Sequence, residues 1–265
     1  MSMRFIVSPA KKMTSESDVA WRDMPRFLDK SREVARTLAA MSFEELIALW
    51  KCSEKLARET CERMGPVFAG AGWDDPSCAR LAPALLAYEG IQYQNMAPRV
   101  MTSSELEYVQ EHLRILSGFY GMLAPFDAVV PYRLEAAARL SVAGSRDLYG
   151  FWGDEIYRAL AQEADVVVNL ASVEYARMVV PHAEREAACA GGEGAPRIVT
   201  CLFGEVNGAG KLVQRSTHAK AARGTFVRWC AANEARSTDD LARFNVGHVL
   251  DEGRSTEDVL VFVKN

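Results

Sequence analysis

The sequence lacks the glycine motifs that mark the commonest nucleotide-binding and hydrolase sites. It contains no G-x-x-x-x-G-K-[ST], no G-x-G-x-x-G and no G-x-S-x-G. These absences argue against a P-loop nucleotidase, a dinucleotide-binding protein and a serine hydrolase of the α/β class. No reaction is therefore indicated by a short motif.

Clusters of metal-binding residues are missing as well. The six cysteines include no C-x-x-C pair, and the four histidines show no H-x-x-x-H or zinc-ligand spacing. Structural and catalytic metal sites usually show such spacing in the sequence. We therefore predict no metal site and no cofactor, and we expect the cysteines to be reduced.

Long apolar runs are also absent. No run approaches the roughly eighteen residues of a membrane span, and the N-terminus has no basic region followed by a long apolar core. We predict a cytoplasmic protein without a membrane partner. With 265 residues, of which 49% are hydrophobic and 25% charged, the composition is that of an ordinary globular protein, and we predict one domain over residues 1–265.

Acidic residues are absent from one long segment, Val206 to Asn233, of a chain with a formal net charge of -4. The cations of this segment are Lys211, Arg215, Lys220, Arg223 and Arg228. Lys and Arg side chains are the usual phosphate contacts, so the segment predicts a surface for nucleic acid, a nucleotide or a phosphorylated small molecule. The alternative is a solvated helix face without a ligand.

Apolar runs and helical periodicity alternate along the chain. Met3–Val7 and Asp165–Leu170 predict buried strands, and Arg197–Phe203 and Val259–Lys264 predict two more. Helical spacing predicts a helix over Thr217–Ala232. The fold class is therefore α/β, a central and mostly buried sheet flanked by helices, with a mixed α+β arrangement as the alternative.

Two further helices are predicted in the first half of the chain. One covers Ser53–Met64 and is expected to end at Gly65-Pro66. The other begins near Thr102 and continues through Leu116. Its apolar stripe consists of Leu106, Val109, Leu113 and Leu116.

Polar residues follow several of the predicted strands and turns, where an α/β protein lines a crevice. The predicted anion-binding residues are Lys11, Lys12, Arg133, Ser172, Lys220, Arg223 and Arg228. Glu135 and Tyr132 are candidates for a catalytic acid or base. The alternative for Arg133 and Glu135 is an ion pair with another segment, made for stability alone.

Five local motifs together resemble the YaaA family of bacterial peroxide stress proteins. They are Ser8-Pro9-Ala10-Lys11; Leu116-Ser117-Gly118-Phe119-Tyr120-Gly121 leading to Pro131-Tyr132-Arg133-Leu134-Glu135; Asp147-Leu148-Tyr149 with Phe151-Trp152-Gly153-Asp154; Asn169-Leu170-Ala171-Ser172 with Glu174-Tyr175; and Lys220 with Ala222-Arg223-Gly224. The motifs span nearly the whole chain. The resemblance implies a single-domain α/β fold, a cytosolic location, resistance to hydrogen peroxide by keeping unbound iron low, and DNA binding.

The resemblance also implies a helix-hairpin-helix element as the DNA contact. The matching segment is the helix that ends near Leu116 and the hairpin Ser117–Gly121. Gly118 and Gly121 would let backbone N–H groups approach phosphates without sequence preference. Two residues separate these glycines where the usual hairpin has one, and the alternative for Gly118 is an ordinary helix C-cap.

Two classes of function follow from these residues. One is a stress protein that binds the DNA backbone through a cationic cleft. The other is an enzyme that acts on a nucleotide or another phosphorylated or anionic small molecule in a pocket lined by Lys and Arg. Cations spread along an open groove would favour DNA, whereas cations that converge with Glu135 in a concave site would favour a small ligand. The two functions could coexist, because a catalytic pocket can lie at the bottom of a DNA-binding cleft.

Overall fold

A computed structural model describes residues 2–74, 80–190 and 195–265. The β-strands are β1 (Met3–Val7), β2 (Lys12–Met13), β3 (Ala82–Pro83), β4 (Tyr88–Glu89), β5 (Leu113–Ser117), β6 (Gly121–Leu123), β7 (Ala128–Val129), β8 (Val166–Asn169), β9 (Arg197–Val206), β10 (Leu212–Val213), β11 (His248–Leu250) and β12 (Val259–Lys264). The α-helices are α1 (Leu28–Ala39), α2 (Phe43–Trp50), α3 (Glu54–Phe68), α4 (Ala84–Ala87), α5 (Ile91–Met96), α6 (Ser103–His112), α7 (Leu148–Trp152), α8 (Glu155–Glu163), α9 (Val173–Ala176), α10 (Val180–Ala190), α11 (Ser216–Ala232) and α12 (Thr238–Ala242).

The centre of the molecule is a mostly parallel sheet in the order β11-β12-β9-β8-β1-β5-β6, with β10 paired to β9. The pairs β12/β9, β9/β8, β8/β1 and β1/β5 are parallel, and the edge strands β11 and β6 are antiparallel to their neighbours. All four residues of β8 are buried, as expected for a central parallel strand. The predicted α/β fold with a central buried sheet is confirmed.

The chain wraps helices around this sheet. Helix α11 packs against α5, α6 and β9, and α6 contacts β1. The aromatic rings of Phe203, Phe226, Phe244 and Phe262 pack against one another where β9, α11 and β12 meet. Helix α11 is thereby held over the sheet by apolar contacts, which fixes the position of its polar face.

The helix predicted through Leu116 ends earlier, at His112. Its N-terminus is as expected, because Thr102 and Glu105 form a capping box. The apolar residues from Leu113 onward leave the helix and pair with β1, with Leu113 opposite Phe5. A short apolar run fits a buried strand as well as a helix, and here the hydrogen bonds to β1 decide the outcome.

The helix predicted over Ser53–Met64 is longer than expected. Its cap is Ser53, but α3 continues through Gly65 and Pro66 to Phe68. Pro66 lies in the last turn, so its missing N–H removes only one helical hydrogen bond. Burial of Met64 and Val67 accompanies this extension.

Across the described residues, no helix is both long and apolar enough to cross a membrane.

Candidate functional site

A cleft of about 800 Å³ lies beyond the carboxyl ends of β1 and β8. These strands are parallel neighbours, with Ile6 opposite Asn169, so the segments that follow them meet at the same edge of the sheet. The two segments are joined because the Ser172 backbone N–H donates to Ser8 Oγ at 2.8 Å. Asn169 Oδ1 accepts from the Ala171 N–H at 3.0 Å and shapes the turn.

Helix α11 presents three polar residues to the cleft. Ser216, Lys220 and Arg223 are spaced four and three residues apart, so they share one face of the helix. Lys220 is exposed at the mouth, whereas Arg223 is mostly buried. The structure thus brings two cations of the acid-free segment to one cavity.

Arg223 has no partner within the described parts of the chain. Its Nε atom is buried without a hydrogen bond, and no carboxylate lies within ion-pair distance of its guanidinium. Burial lowers the pKa of Arg223, yet a guanidinium stays protonated at neutral pH. A partly buried cation without a counter-charge is costly to fold, which makes Arg223 the strongest sign of an anionic ligand.

The other predicted cations differ in their pairing. Lys11 Nζ lies 2.7 Å from Glu135 Oε1, and Lys12 Nζ lies 2.7 Å from Glu89 Oε2. Arg133 Nε donates to the Trp50 carbonyl at 3.2 Å, and its guanidinium has no carboxylate partner among the residues described.

The cleft has a net positive charge. Five cationic side chains and three carboxylates line the cleft, which leaves two positive charges in excess. Because Lys11 and Lys12 are paired, the excess positive charge is associated with Arg133, Lys220 and Arg223. The third carboxylate, that of Glu174, accepts a hydrogen bond from the Ala137 N–H at 3.0 Å.

Tyrosines form a wall of the cleft. The Tyr132 hydroxyl lies 2.6 Å from Ser117 Oγ and 2.9 Å from the Tyr88 hydroxyl. Ser117 Oγ also accepts from two backbone N–H groups, those of Phe119 and Tyr120. Burial raises the pKa of Tyr132 to about 12. Tyr132 is therefore protonated at neutral pH and is held in a hydroxyl network.

Gly118 and Gly121 are not among the residues that line the cleft. Gly118 lies in the turn that joins β5 to β6, and Gly121 is the first residue of β6. The Gly118 carbonyl accepts a hydrogen bond from Trp152 Nε1 at 3.0 Å. A Cβ atom at Gly121 would lie 2.7 Å from the Trp152 ring. The segment is a β-hairpin packed in the core, so it does not form the helix-hairpin-helix expected from the resemblance.

Arg228 is also separated from the cluster. It lies on α11 outside the cleft lining, and its Nη1 donates to the Ala97 carbonyl at 3.4 Å. The remaining predicted residues line the cleft: Lys11, Lys12, Tyr132, Arg133, Glu135, Ser172, Lys220 and Arg223.

Gln92 of α5 is a cleft residue that the sequence did not indicate. Its side chain is only 6% exposed, and its Nε2 atom is buried without a hydrogen-bond partner. The helix that carries it has six residues and no side-chain cap, so neither periodicity nor a capping residue marks it.

No group of three or more His, Cys, Asp or Glu side chains that could hold a metal ion is found in the described part of the chain.

The fold and this site define an α/β protein with a cation-lined cleft at the carboxyl edge of its parallel strands. Residues 3–251 match the family described as peroxide stress protein YaaA. The chain belongs to this family, which confirms the resemblance seen in its motifs.

Similar proteins cover nearly the whole length of the chain. A UPF0246 protein of Pediococcus pentosaceus is 40% identical over 265 residues, covering 99% of this chain and 98% of that protein. One of Lachnoclostridium phytofermentans is 39% identical over 264 residues, covering 99% and 96%. One of Limosilactobacillus reuteri is 37% identical over 264 residues, covering 98% of both.

Proposed function

We propose that this peroxide stress protein acts in the cytoplasm by binding DNA that presents an unpaired nucleotide, and that the nucleotide enters the cleft. The observation that carries the proposal is Arg223, a mostly buried cation without a partner in the described residues. Lys220 lies one helical turn away on the same face and would contact the neighbouring phosphate.

The size of the cleft restricts the DNA that fits. A volume of about 800 Å³ is typical of pockets for small molecules. It admits one nucleotide but not a duplex, so a base must leave the stack or already be unpaired. The concave shape, with Glu135 on the wall, therefore favours single-stranded or locally opened DNA over an intact duplex.

The walls of the cleft suit a base as well as a phosphate. Tyr93, Tyr132 and Tyr175 line it and are almost fully buried, and the exposed Val173 lies at its rim. Aromatic and apolar side chains of this kind pack against any base, so the binding would show little sequence preference.

The test is fluorescence anisotropy with labelled single-stranded, bubble and duplex DNA over a range of salt concentrations. The variants are Lys220→Ala/Arg223→Ala and, as a control with the same charge change, Arg36→Ala/Lys55→Ala, whose side chains are exposed outside the cleft. Loss of two phosphate contacts should lower the salt slope of log K by about 1.4 on single strands.

Two results would overturn the proposal. One is equal binding of duplex, bubble and single-stranded DNA, because the cleft cannot hold a duplex. The other is unchanged affinity and salt slope in the Lys220→Ala/Arg223→Ala variant, because the cleft cations would then make no phosphate contact.

A second candidate is an enzyme that acts on a free nucleotide or another phosphorylated small molecule. It is favoured by the ion pair of Lys11 with Glu135 on the cleft wall, which fixes a carboxylate beside the cationic residues. Incubation with a panel of nucleotides should then give a product, and Glu135→Gln should abolish turnover while the variant still binds. Binding without any product would reject this candidate and leave the DNA proposal in place.

Limitation of unbound iron, which the family resemblance implies, is part of the proposal. Its test is electron paramagnetic resonance of unbound iron in peroxide-treated cells that lack the protein and carry either the wild type or the Lys220→Ala/Arg223→Ala variant. Low iron with the wild type and high iron with the variant would connect the cleft with the iron level. Equal iron levels with the wild type and the variant would mean that the cleft cations do not control the level of unbound iron.

A further inference from the structure

Two buried donors in the cleft have no acceptor in the described residues. They are Gln92 Nε2 on α5 and Arg223 Nε on α11. A buried donor that makes no hydrogen bond costs free energy, and most buried polar atoms are therefore satisfied. Solvent reaches neither atom, so a ligand can supply the missing acceptor only when these two cleft side chains turn toward it.

The packing of α5 on α11 places these residues side by side. Gly224 follows Arg223 in the chain and lies against the backbone carbonyl of Gln92. A Cβ atom at Gly224 would lie 2.9 Å from the Met96 backbone nitrogen, so the helices touch through backbone atoms. Such close packing fixes the backbone positions that carry both side chains.

We infer that the Gln92 amide and the Arg223 guanidinium bind a terminal phosphate of the nucleotide in the interior of the cleft. This inference rests on the proposed function and names the part of the nucleotide that is bound most deeply. A guanidinium presents two N–H groups to one phosphate, and the neutral amide adds a further donor.

The position of the donors distinguishes a terminal phosphate from an internal phosphodiester. Gln92 is only 6% exposed where it lines the cleft, so a phosphate that reaches its side chain lies in the interior of the cleft, away from the mouth. An internal phosphodiester is linked to nucleotides on both sides, so the strand must enter and leave through the mouth of the cleft. A terminal phosphate is linked to a nucleotide on one side only. A terminal phosphate also has a charge near −2 at neutral pH, which matches the two excess positive charges of the cleft lining.

Two sources could present this group: the end of a DNA strand and a free nucleotide. The test therefore measures competition against a labelled single-stranded oligonucleotide. The competitors are oligonucleotides with a 5′-phosphate, a 3′-phosphate or neither, a nucleoside monophosphate, its nucleoside, and inorganic phosphate. The readout is the affinity ratio of each phosphorylated competitor to its unphosphorylated form, which does not depend on the fraction of folded protein.

The wild type should prefer at least one terminally phosphorylated competitor by about tenfold or more, since hydrogen bonds to charged groups are strong. Gln92→Leu should reduce this ratio several-fold, and Gln92→Glu should reduce it further because a carboxylate repels the phosphate. Arg223→Lys, which retains the charge but not the Nε donor, should also reduce it. The control is Gln94→Leu, an exposed residue of the same helix outside the cleft lining, which should retain the wild-type ratio.

The outcomes separate this inference from the proposed function. A preference for the phosphorylated oligonucleotide alone assigns the site to strand ends, and an equal preference for the nucleoside monophosphate assigns it to free nucleotides as well. Affinity ratios near one for the wild type, with DNA binding retained, would overturn the inference alone. Affinity ratios of both Gln92 variants that equal those of the wild type would also overturn it. Absence of any binding would overturn both.

Discussion

Gly224 of α11 lies directly against the backbone carbonyl oxygen of Gln92 on α5, with no room for a side chain between the two helices. A methyl group at this position would overlap backbone atoms, which cannot move aside as a flexible side chain can. We therefore expect Gly224→Ala to lower the free energy of unfolding by about 3 kcal/mol. Denaturant unfolding measures this change.

Gly208→Ala is the control for that substitution. Gly208 has no atom within 4 Å of an added Cβ, so this variant should unfold like the wild type. Gly224→Ala should also weaken nucleotide binding, because separation of α5 from α11 moves Gln92 and Arg223 apart. Wild-type stability in Gly224→Ala would contradict the close helix contact.

Gly121→Ala tests the β-hairpin that replaces the expected DNA-binding element. Gly121 has a φ of 71° and lies beside the Trp152 ring, so an added methyl group is both strained and crowded. Gly144→Ala, with a φ of 80° and open space around it, introduces the strain alone. Thermal unfolding should show a larger loss for Gly121→Ala than for Gly144→Ala. Full stability together with lost DNA binding would instead support a direct phosphate contact at Gly121.

Glu135→Gln tests the electrostatics of the cleft. The substitution removes one negative charge and leaves Lys11 without its partner at 2.7 Å. An anionic ligand should then bind a few-fold more tightly at low salt, with a steeper salt dependence, since one more cation is available to a phosphate. Anisotropy with single-stranded DNA measures both quantities. Weaker binding would mean that Glu135 contacts the ligand as an acceptor or positions Lys11 for it.

Asp127 should make the stability depend on pH. Burial raises its pKa from the usual 3.8 to about 7, although the Ala124 N–H donates to its carboxylate at 2.8 Å. Between these values the folded state binds more protons than the unfolded state, so the free energy of unfolding falls as the pH rises. This decrease in the free energy of unfolding is complete above about pH 7 and is on the order of 4 kcal/mol.

Asp127→Asn removes this titration while retaining an oxygen that can accept from Ala124. The difference in unfolding free energy between Asp127→Asn and the wild type should therefore grow from pH 4 to pH 7. Asp18→Asn, at an exposed aspartate, is the matched control. A difference that is constant with pH would mean that Asp127 has an ordinary pKa.

The strands and the long helix that build the cleft could be predicted from the sequence. Met3–Val7 is apolar apart from Arg4, and Val166–Val168 are three consecutive β-branched residues, so the sequence identifies both segments as central strands. Helix α11 buries Ala219, Ala222, Phe226 and Cys230, which are spaced three or four residues apart as in a helix. Because parallel strands end at one edge of a sheet, the residues that follow β1 and β8 could be placed near each other.

Other parts of the site depend on contacts that are distant in the chain. Leu113–Ser117 continues the apolar stripe of α6, and only its pairing with β1 makes it a strand. Gln92 belongs to the site only because α5 packs against α11. The pairing of Lys11 with Glu135 joins segments more than a hundred residues apart, and no local pattern reports it.

The position of a bound nucleotide tests the proposed cleft most directly. We would determine a crystal structure of the wild type with a short single-stranded oligonucleotide that carries a terminal phosphate. We expect one nucleotide inside the cleft, its phosphate within hydrogen-bond distance of Arg223 and its base against the tyrosine wall. An oligonucleotide bound elsewhere on the surface, with the cleft free of it, would contradict the proposal.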